Sequence, residues 1–347
     1  MSTSDVGREG VRGARPDREA QVGAGPDRRG GRRGGRRGRR GEKAMVPEAE
    51  FTSYYGRPVL KQPVWKAADV AAYFFLGGLA GAGSVLAAGA QLTGRPAAAR
   101  ALKISSLAAI AGSTAALIHD LGRPERFAHM LRVMKPTSPM SVGSWILAAY
   151  GPAAGAAAVL DVTGLLPRPG RAATAGAAAL GPAVAAYTAV LVADTAVPAW
   201  HEVHRELPFV FVGSGTAAAA GMALLTAPVR ETGPMRTAAV AGAALEVGAA
   251  RLMERRAGLA AEPYTVGRAG RLMRAGEILS AAGAAGGALL GGRGRAAAAL
   301  SGAALLAGSA CTRFGVFHAG VQSARDPRYT VVPQRERLTA QGSEPAS

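Results

Sequence analysis

The stretch VAAYFFLGGLAGAGSVLAAGAQL, Val70–Leu92, runs for 23 residues without one charged side chain. A helix of that length crosses the roughly 30 Å hydrocarbon core of a bilayer. The pattern then repeats. Further apolar runs fall at about 99–119, 141–161, 173–195, 208–228, 236–254, 271–291 and 296–317, separated by short polar gaps. Together they predict an all-α integral membrane bundle of eight transmembrane helices over residues 50–320, followed by a cytoplasmic C-terminal tail at 321–347. The sixth run is the weakest, because Glu246, Arg251 and Glu254 interrupt it. Gly77/Gly81 and Gly283/Gly287 stand at the small-xxx-small spacing that lets helix backbones approach closely in lipid, although Ala and Gly are abundant throughout.

The formal net charge of +18 in a chain that is 49% hydrophobic looks contradictory until the charge is located. Residues 1–43, ending in GRRGGRRGRRGEK, hold about a third of all Lys and Arg and almost no large apolar side chain. Such a segment buries too little surface to offset the entropy of ordering, so residues 1–49 read as a disordered Arg/Gly-rich tail. If translation starts at Met45, most of this tail is not made. No apolar run follows the paired arginines closely enough for an export signal. The tail reads as attracted to anionic lipid rather than to nucleic acid.

Basic residues also set the expected orientation. Arg123, Arg126, Arg132 and Lys135 after the second run, and Arg255, Arg256 and Arg268 after the sixth, lie on the side of the tail. The positive-inside rule then places both termini of this cell-membrane protein in the cytoplasm.

Ionisable groups at membrane depth point to function. His119 and Asp120 close the second run, Asp194 closes the fourth, Glu246 interrupts the sixth and Glu277 lies in the seventh. Tyr187, seven residues before Asp194, shares its helix face about 10 Å away. Its phenol can donate a hydrogen bond to a carbonyl of an apolar ring, or simply to a neighbouring helix. His119 and Asp120 can carry protons, or cap their helix with Arg123 satisfying the aspartate. Glu246 needs Arg251 or a water path if it is to ionise.

Several chemistries are excluded. One cysteine, Cys311, cannot ligate an iron–sulfur cluster, and the five histidines do not fall where facing haem ligands would. No HExxH, CxxC or phosphate-cradling loop occurs, and no metal site is expected. Any electrons must come from or go to a partner. A proton-coupled transporter or ion-conducting protein, with Glu246 and Glu277 as coupling carboxylates, is the competing class.

Six segments carry a family resemblance: FTSYYGRPVLKQPVWK (Phe51–Lys66), YFFLGGLAGAGSVL (Tyr73–Leu86), HDLGRPERF (His119–Phe127), KPTSPMSVGSW (Lys135–Trp145), YTAVLVADTAVPAWHE (Tyr187–Glu202) and RFGVFHAG (Arg313–Gly320). In this order they resemble the NrfD family, the membrane subunits of polysulfide reductase, across roughly residues 50–320. The resemblance implies an eight-helix subunit that binds quinone or quinol, with menaquinone as the expected cofactor. It implies an iron–sulfur ferredoxin-like partner connected to a molybdopterin oxidoreductase subunit. It also implies a quinone pocket among the first helices, carried here onto His119, Asp120, Arg123 and Tyr187, with Ser138–Trp145 beside them. Some members offer a histidine and an asparagine from the first span, where this chain reads VAAYFFLGG, so Tyr73 is the substitute donor. On this reading His119 and Asp120 handle protons, Tyr187, His119, Tyr73 and Arg123 hold quinone, and Asp194, Glu246 and Glu277 form a proton path.

Overall fold

The computed structural model describes residues 5–7, 10–12, 59–123 and 125–342. Within the tail read as disordered, Asp5–Gly7 and Gly10–Arg12 pair antiparallel as a short hairpin. The rest of that tail, Met45 included, and the motif residues 51–58 lie outside the described residues.

From residue 59 onward the described chain is helical. The order is α1 (Ala67–Leu92), α2 (Pro96–Asp120), α3 (Glu125–Met130), α4 (Pro139–Thr163), α5 (Pro167–Ala193), α6 (Pro198–His201), α7 (Leu207–Thr226), α8 (Gly233–Arg256), α9 (Glu262–Thr265), α10 (Gly267–Leu289), α11 (Arg295–Arg325) and α12 (Arg328–Gly342). The helix starts are written locally. Pro96, Pro139, Pro167 and Pro198 each open a helix, where the missing N–H costs nothing and φ is already helical. Gly94, Gly122 and Gly164 turn the chain after α1, α2 and α4 with φ near +70°.

Eight long helices match the eight apolar runs, but six of them (α1, α2, α4, α5, α7 and α11) are long and apolar enough to cross a membrane. By length and composition, six of the eight expected spans are thus found. The physical reason is charge: α8 carries Glu246, Arg251 and Glu254, and α10 carries Arg268, Arg271, Arg274 and Glu277. α11 continues to Arg325, past the expected boundary at 320. α12 is held back onto the bundle by its buried Tyr329 and by Arg328, which donates to Glu262 at 2.7 Å.

α1 is the hub, packing against α2, α5, α7 and α11. Of its most apolar stretch 72% is buried, against 28% for the peripheral α4. Successive long helices run antiparallel, so two faces result. On one, Lys66 and Asp69 of the α1 start meet Asp120 and His119 of the α2 end, Arg256 of the α8 end meets Glu206 beside α7, and the α11 end carries α12. On the other, Lys103 bonds Gln91 and Asp161, Glu231 accepts from the Ala98 N–H at 2.8 Å, and Arg295 caps the last carbonyls of α7. The start of α1 and the end of α11 thus share a face.

Three distant motifs are joined on that face by rings. Trp65 stacks on Trp200 at 5.8 Å, Trp200 leans on Phe317, and the Trp200 indole donates to the Val316 carbonyl at 2.8 Å. Tyr264 of α9 donates to the Ala199 carbonyl at 2.7 Å, and burial pushes its phenol well above the usual range.

Glycines set the helix separations. Gly81 of α1 lies against Gly181 of α5, and a Cβ at Gly81 would stand 2.9 Å from the Ala185 nitrogen. A Cβ at Gly215 of α7 would stand 2.9 Å from the Gly78 oxygen of α1. Backbone cannot yield as a flexible side chain does, so Gly81→Ala is expected to cost about 1–3 kcal/mol. At Gly89 of the same helix a Cβ meets nothing within 4 Å, and Gly89→Ala is expected to be neutral or stabilising by up to ~1 kcal/mol. Thermal unfolding of the two variants in detergent checks the contrast.

Candidate functional site

On the face where α1 begins, four helix ends enclose a cleft: the start of α1, the end of α2, the start of α4 and the end of α5. Its volume is about 90 Å³. Phe74, Leu117, Leu147 and Leu191 form apolar walls, and Met130 and Met140 close the side toward α3. Tyr73 and Tyr187 reach it from opposite helices, their rings edge-to-face at 6.2 Å and their hydroxyls hydrogen-bonded to one another. Gly143 makes room for this pair: a Cβ there would stand 2.6 Å from the Tyr187 ring.

Two carboxylates border the cleft. Asp120 accepts from the Lys66 backbone N–H at 3.3 Å, so it is not Arg123 that satisfies it. Asp69 is 16% exposed and bonds His119 Nδ1 through Oδ2 at 2.8 Å. His119 itself is 66% exposed and lies outside the lining. Arg123 is exposed in the turn after α2, also off the lining. The expected ligand set is therefore split: Tyr73, Tyr187 and Asp120 meet at the cleft, and His119 connects to it through Asp69. Met140, Gly143 and Ser144 of the KPTSPMSVGSW motif border it too.

Nothing in the sequence pairs Asp69, just before the first apolar run, with a residue 50 positions away. The arrangement offers two phenol donors in an apolar slot and a carboxylate–imidazole pair leading outward. Such a slot can hold an apolar ring by its oxygens and pass a proton to solvent.

The expected proton path divides differently. Asp194 is the exposed C-cap residue of α5. Glu277 pairs with Arg251 at the surface, which removes Arg251 as the partner of Glu246. Glu246 is 2% exposed and accepts from Thr312 Oγ1 at 2.7 Å and Ser280 Oγ at 2.9 Å. Beside it Arg313 is fully buried. Arg313 was not singled out from sequence, although a charge within an apolar run is the signal that finds it. Among the described residues no group of three or more His, Cys, Asp or Glu could hold a metal ion.

No curated protein matches the chain. A family model, described as polysulphide reductase, NrfD, matches residues 58–157. That stretch runs from just before α1 into the second half of α4 and contributes three of the four walls of the cleft. Over residues 58–157 the chain is thus similar to the NrfD family, and its long apolar helices make it a multi-pass membrane protein.

Proposed function

We propose that this chain is the quinone-binding membrane subunit of a multi-subunit oxidoreductase, exchanging electrons with an iron–sulfur ferredoxin-like subunit that serves a molybdopterin enzyme. Menaquinone or menaquinol is the ligand of the reading. The observation that carries it is the apolar cleft with Tyr73 and Tyr187 converging from α1 and α5. The donor chemistry fits: two neutral O–H donors suit carbonyl oxygens, and the walls suit a ring. With the phenols bonded to each other the volume of 90 Å³ is small against the ~300–1,000 Å³ usual for ligand pockets. Binding therefore requires the two hydroxyls to part and turn to the ligand.

When bound, a quinone supplies a two-electron, two-proton couple at its carbonyl oxygens. The protein's part is to orient the ring and move protons. Tyr73 and Tyr187 donate hydrogen bonds. Asp69 lies between cleft and His119, and His119 opens to solvent, so protons travel in the order cleft, Asp69, His119, bulk. Asp120, held by the Lys66 N–H, adds negative charge at the rim.

On the same reading α8 and α10 also cross the bilayer, giving eight spans, with this face and both termini cytoplasmic. Their charges are tolerated because Glu246 turns inward and Arg251 pairs with Glu277. The exposed Arg123, Arg126, Arg132 and Lys135 around α3 form a basic surface beside the cleft, suited to an acidic electron-transfer partner. The transporter reading lacks such support: the eight long helices run without the unwound mid-membrane segments that build transporter sites.

Three outcomes are expected of the assembled complex. Tyr187→Phe weakens quinone binding by roughly 2- to 12-fold, the worth of one neutral hydrogen bond, in a competition assay with a soluble quinone analogue. Asp69→Asn slows quinol-linked turnover by about 100-fold or more. His119→Ala slows it less and is restored by added imidazole, because its position is open to solvent. Unchanged turnover in Tyr187→Phe and Asp69→Asn together would reject the reading.

A further inference from the structure

We propose that Glu246 and Arg313 form a second functional centre, a buried proton-binding site entered from the α8–α10 surface. It does not rest on the quinone reading. Glu246 lies ten residues before the end of α8, and Arg313 twelve before the end of α11, about 15 and 18 Å from those ends along the axis. Both are shut off from solvent, at 2% and 0% exposure.

A structural ion pair would close into contact and satisfy its own donors, because separated buried charges are costly. This pair does not close: no nitrogen of Arg313 comes within 4.0 Å of the Glu246 carboxylate. Each carboxylate oxygen instead takes one hydroxyl, from Thr312 and Ser280, and the Ser214–Ser309 hydroxyl pair at 2.8 Å stands alongside. Arg313 gives one hydrogen bond, Nη2 to the Phe211 carbonyl at 2.5 Å, and lies 3.8 Å over the Phe211 ring. Its Nε and Nη1 are buried without a partner. Buried guanidinium donors are rarely left so, and the carboxylate that acts electrostatically on Arg313 is Glu246.

Glu246 also borders a cavity on the α8–α10 side. This cavity, of about 210 Å³, runs from Glu246 past Val247 and Met273 to Arg251, Glu254, Arg274 and Glu277. Its mouth is charged on both flanking helices, Arg251 and Glu254 on α8 and Arg274 and Glu277 on α10, with Tyr264 of α9 at the side. On α11 the charge facing Glu246 is Arg313, and α7 offers only Ser214 and backbone. A polar cavity of this size admits water. A carboxylic acid reached by water, balanced by a fixed cation and hydroxyls that serve either charge state, can take up and release a proton without unfolding the bundle. Arg313 also touches α1: a Cβ at Gly78 would stand 2.8 Å from its Nη2. One turn earlier on that helix, Tyr73 and Phe74 border the cleft.

Infrared spectroscopy of the purified full chain in detergent tests the proposal. A protonated-carboxyl C=O band is expected to rise reversibly as the pH is lowered and to fall as it is raised. It should shift in D₂O, disappear in Glu246→Gln and persist in Glu277→Gln. In Thr312→Val it should move to higher frequency, because the C=O loses its hydrogen bond. If Glu246→Gln does not fold, Glu246→Asp serves, and a changed band frequency supports the assignment. Three results would overturn it: no Glu246-dependent band at any pH, a band that does not exchange in D₂O, or a band abolished when sodium chloride replaces choline chloride. The last would make the hydroxyl–carboxylate cluster a site for an alkali cation.

Discussion

Helix α1 touches α5 and α7 backbone to backbone, through Gly81 against Gly181 and Gly78 against Gly215. In lipid the side chains gain little by leaving the solvent around them, so close packing and buried hydrogen bonds must hold the helices. The approach fixes more than separation. It presents Tyr73 to Tyr187 on one flank and leaves room for the Arg313 guanidinium on the other, where Gly78 has no side chain to occupy it. Both polar centres of the bundle thus depend on small residues of a single helix.

The two centres differ in kind. The cleft is walled by apolar side chains, bordered by Asp69 and Asp120, and tied to the surface through an exposed histidine. The Glu246–Arg313 centre is roofed by four helices, and its polar groups come from the interior faces of α7, α8, α10 and α11. Phe74 and Phe211, 5.8 Å apart, stand between them. A helix movement that parts Tyr73 from Tyr187 would also move Gly78 against Arg313, because Tyr73 and Gly78 lie within two turns of each other on α1.

Composition hid two of these roles. Arg313 lies four residues before the end of an apolar run that stops at 317, so it reads as a residue near a membrane surface. The helix in fact continues to Arg325, through residues whose polarity ended the run, and Arg313 is buried as a consequence. Arg251 looked like the natural partner of Glu246, five residues away, but five residues along a helix is well over a turn and points elsewhere. Glu277, across the groove on α10, is the partner it takes.

By itself the sequence determined the eight helices, their proline-marked starts, the all-α membrane class and the family motifs in order, because each depends on residues adjacent in the chain. It also singled out Tyr187, His119, Asp120 and Glu246 as polar groups out of place, and the family resemblance added Tyr73. Only the tertiary structure decided which of these meet. Asp69 with His119, Tyr73 with Tyr187, and Glu246 with Thr312 and Ser280 are contacts across 34 to 114 positions. They are set by the register and rotation of one helix against another, which glycine contacts fix in space and no local pattern records.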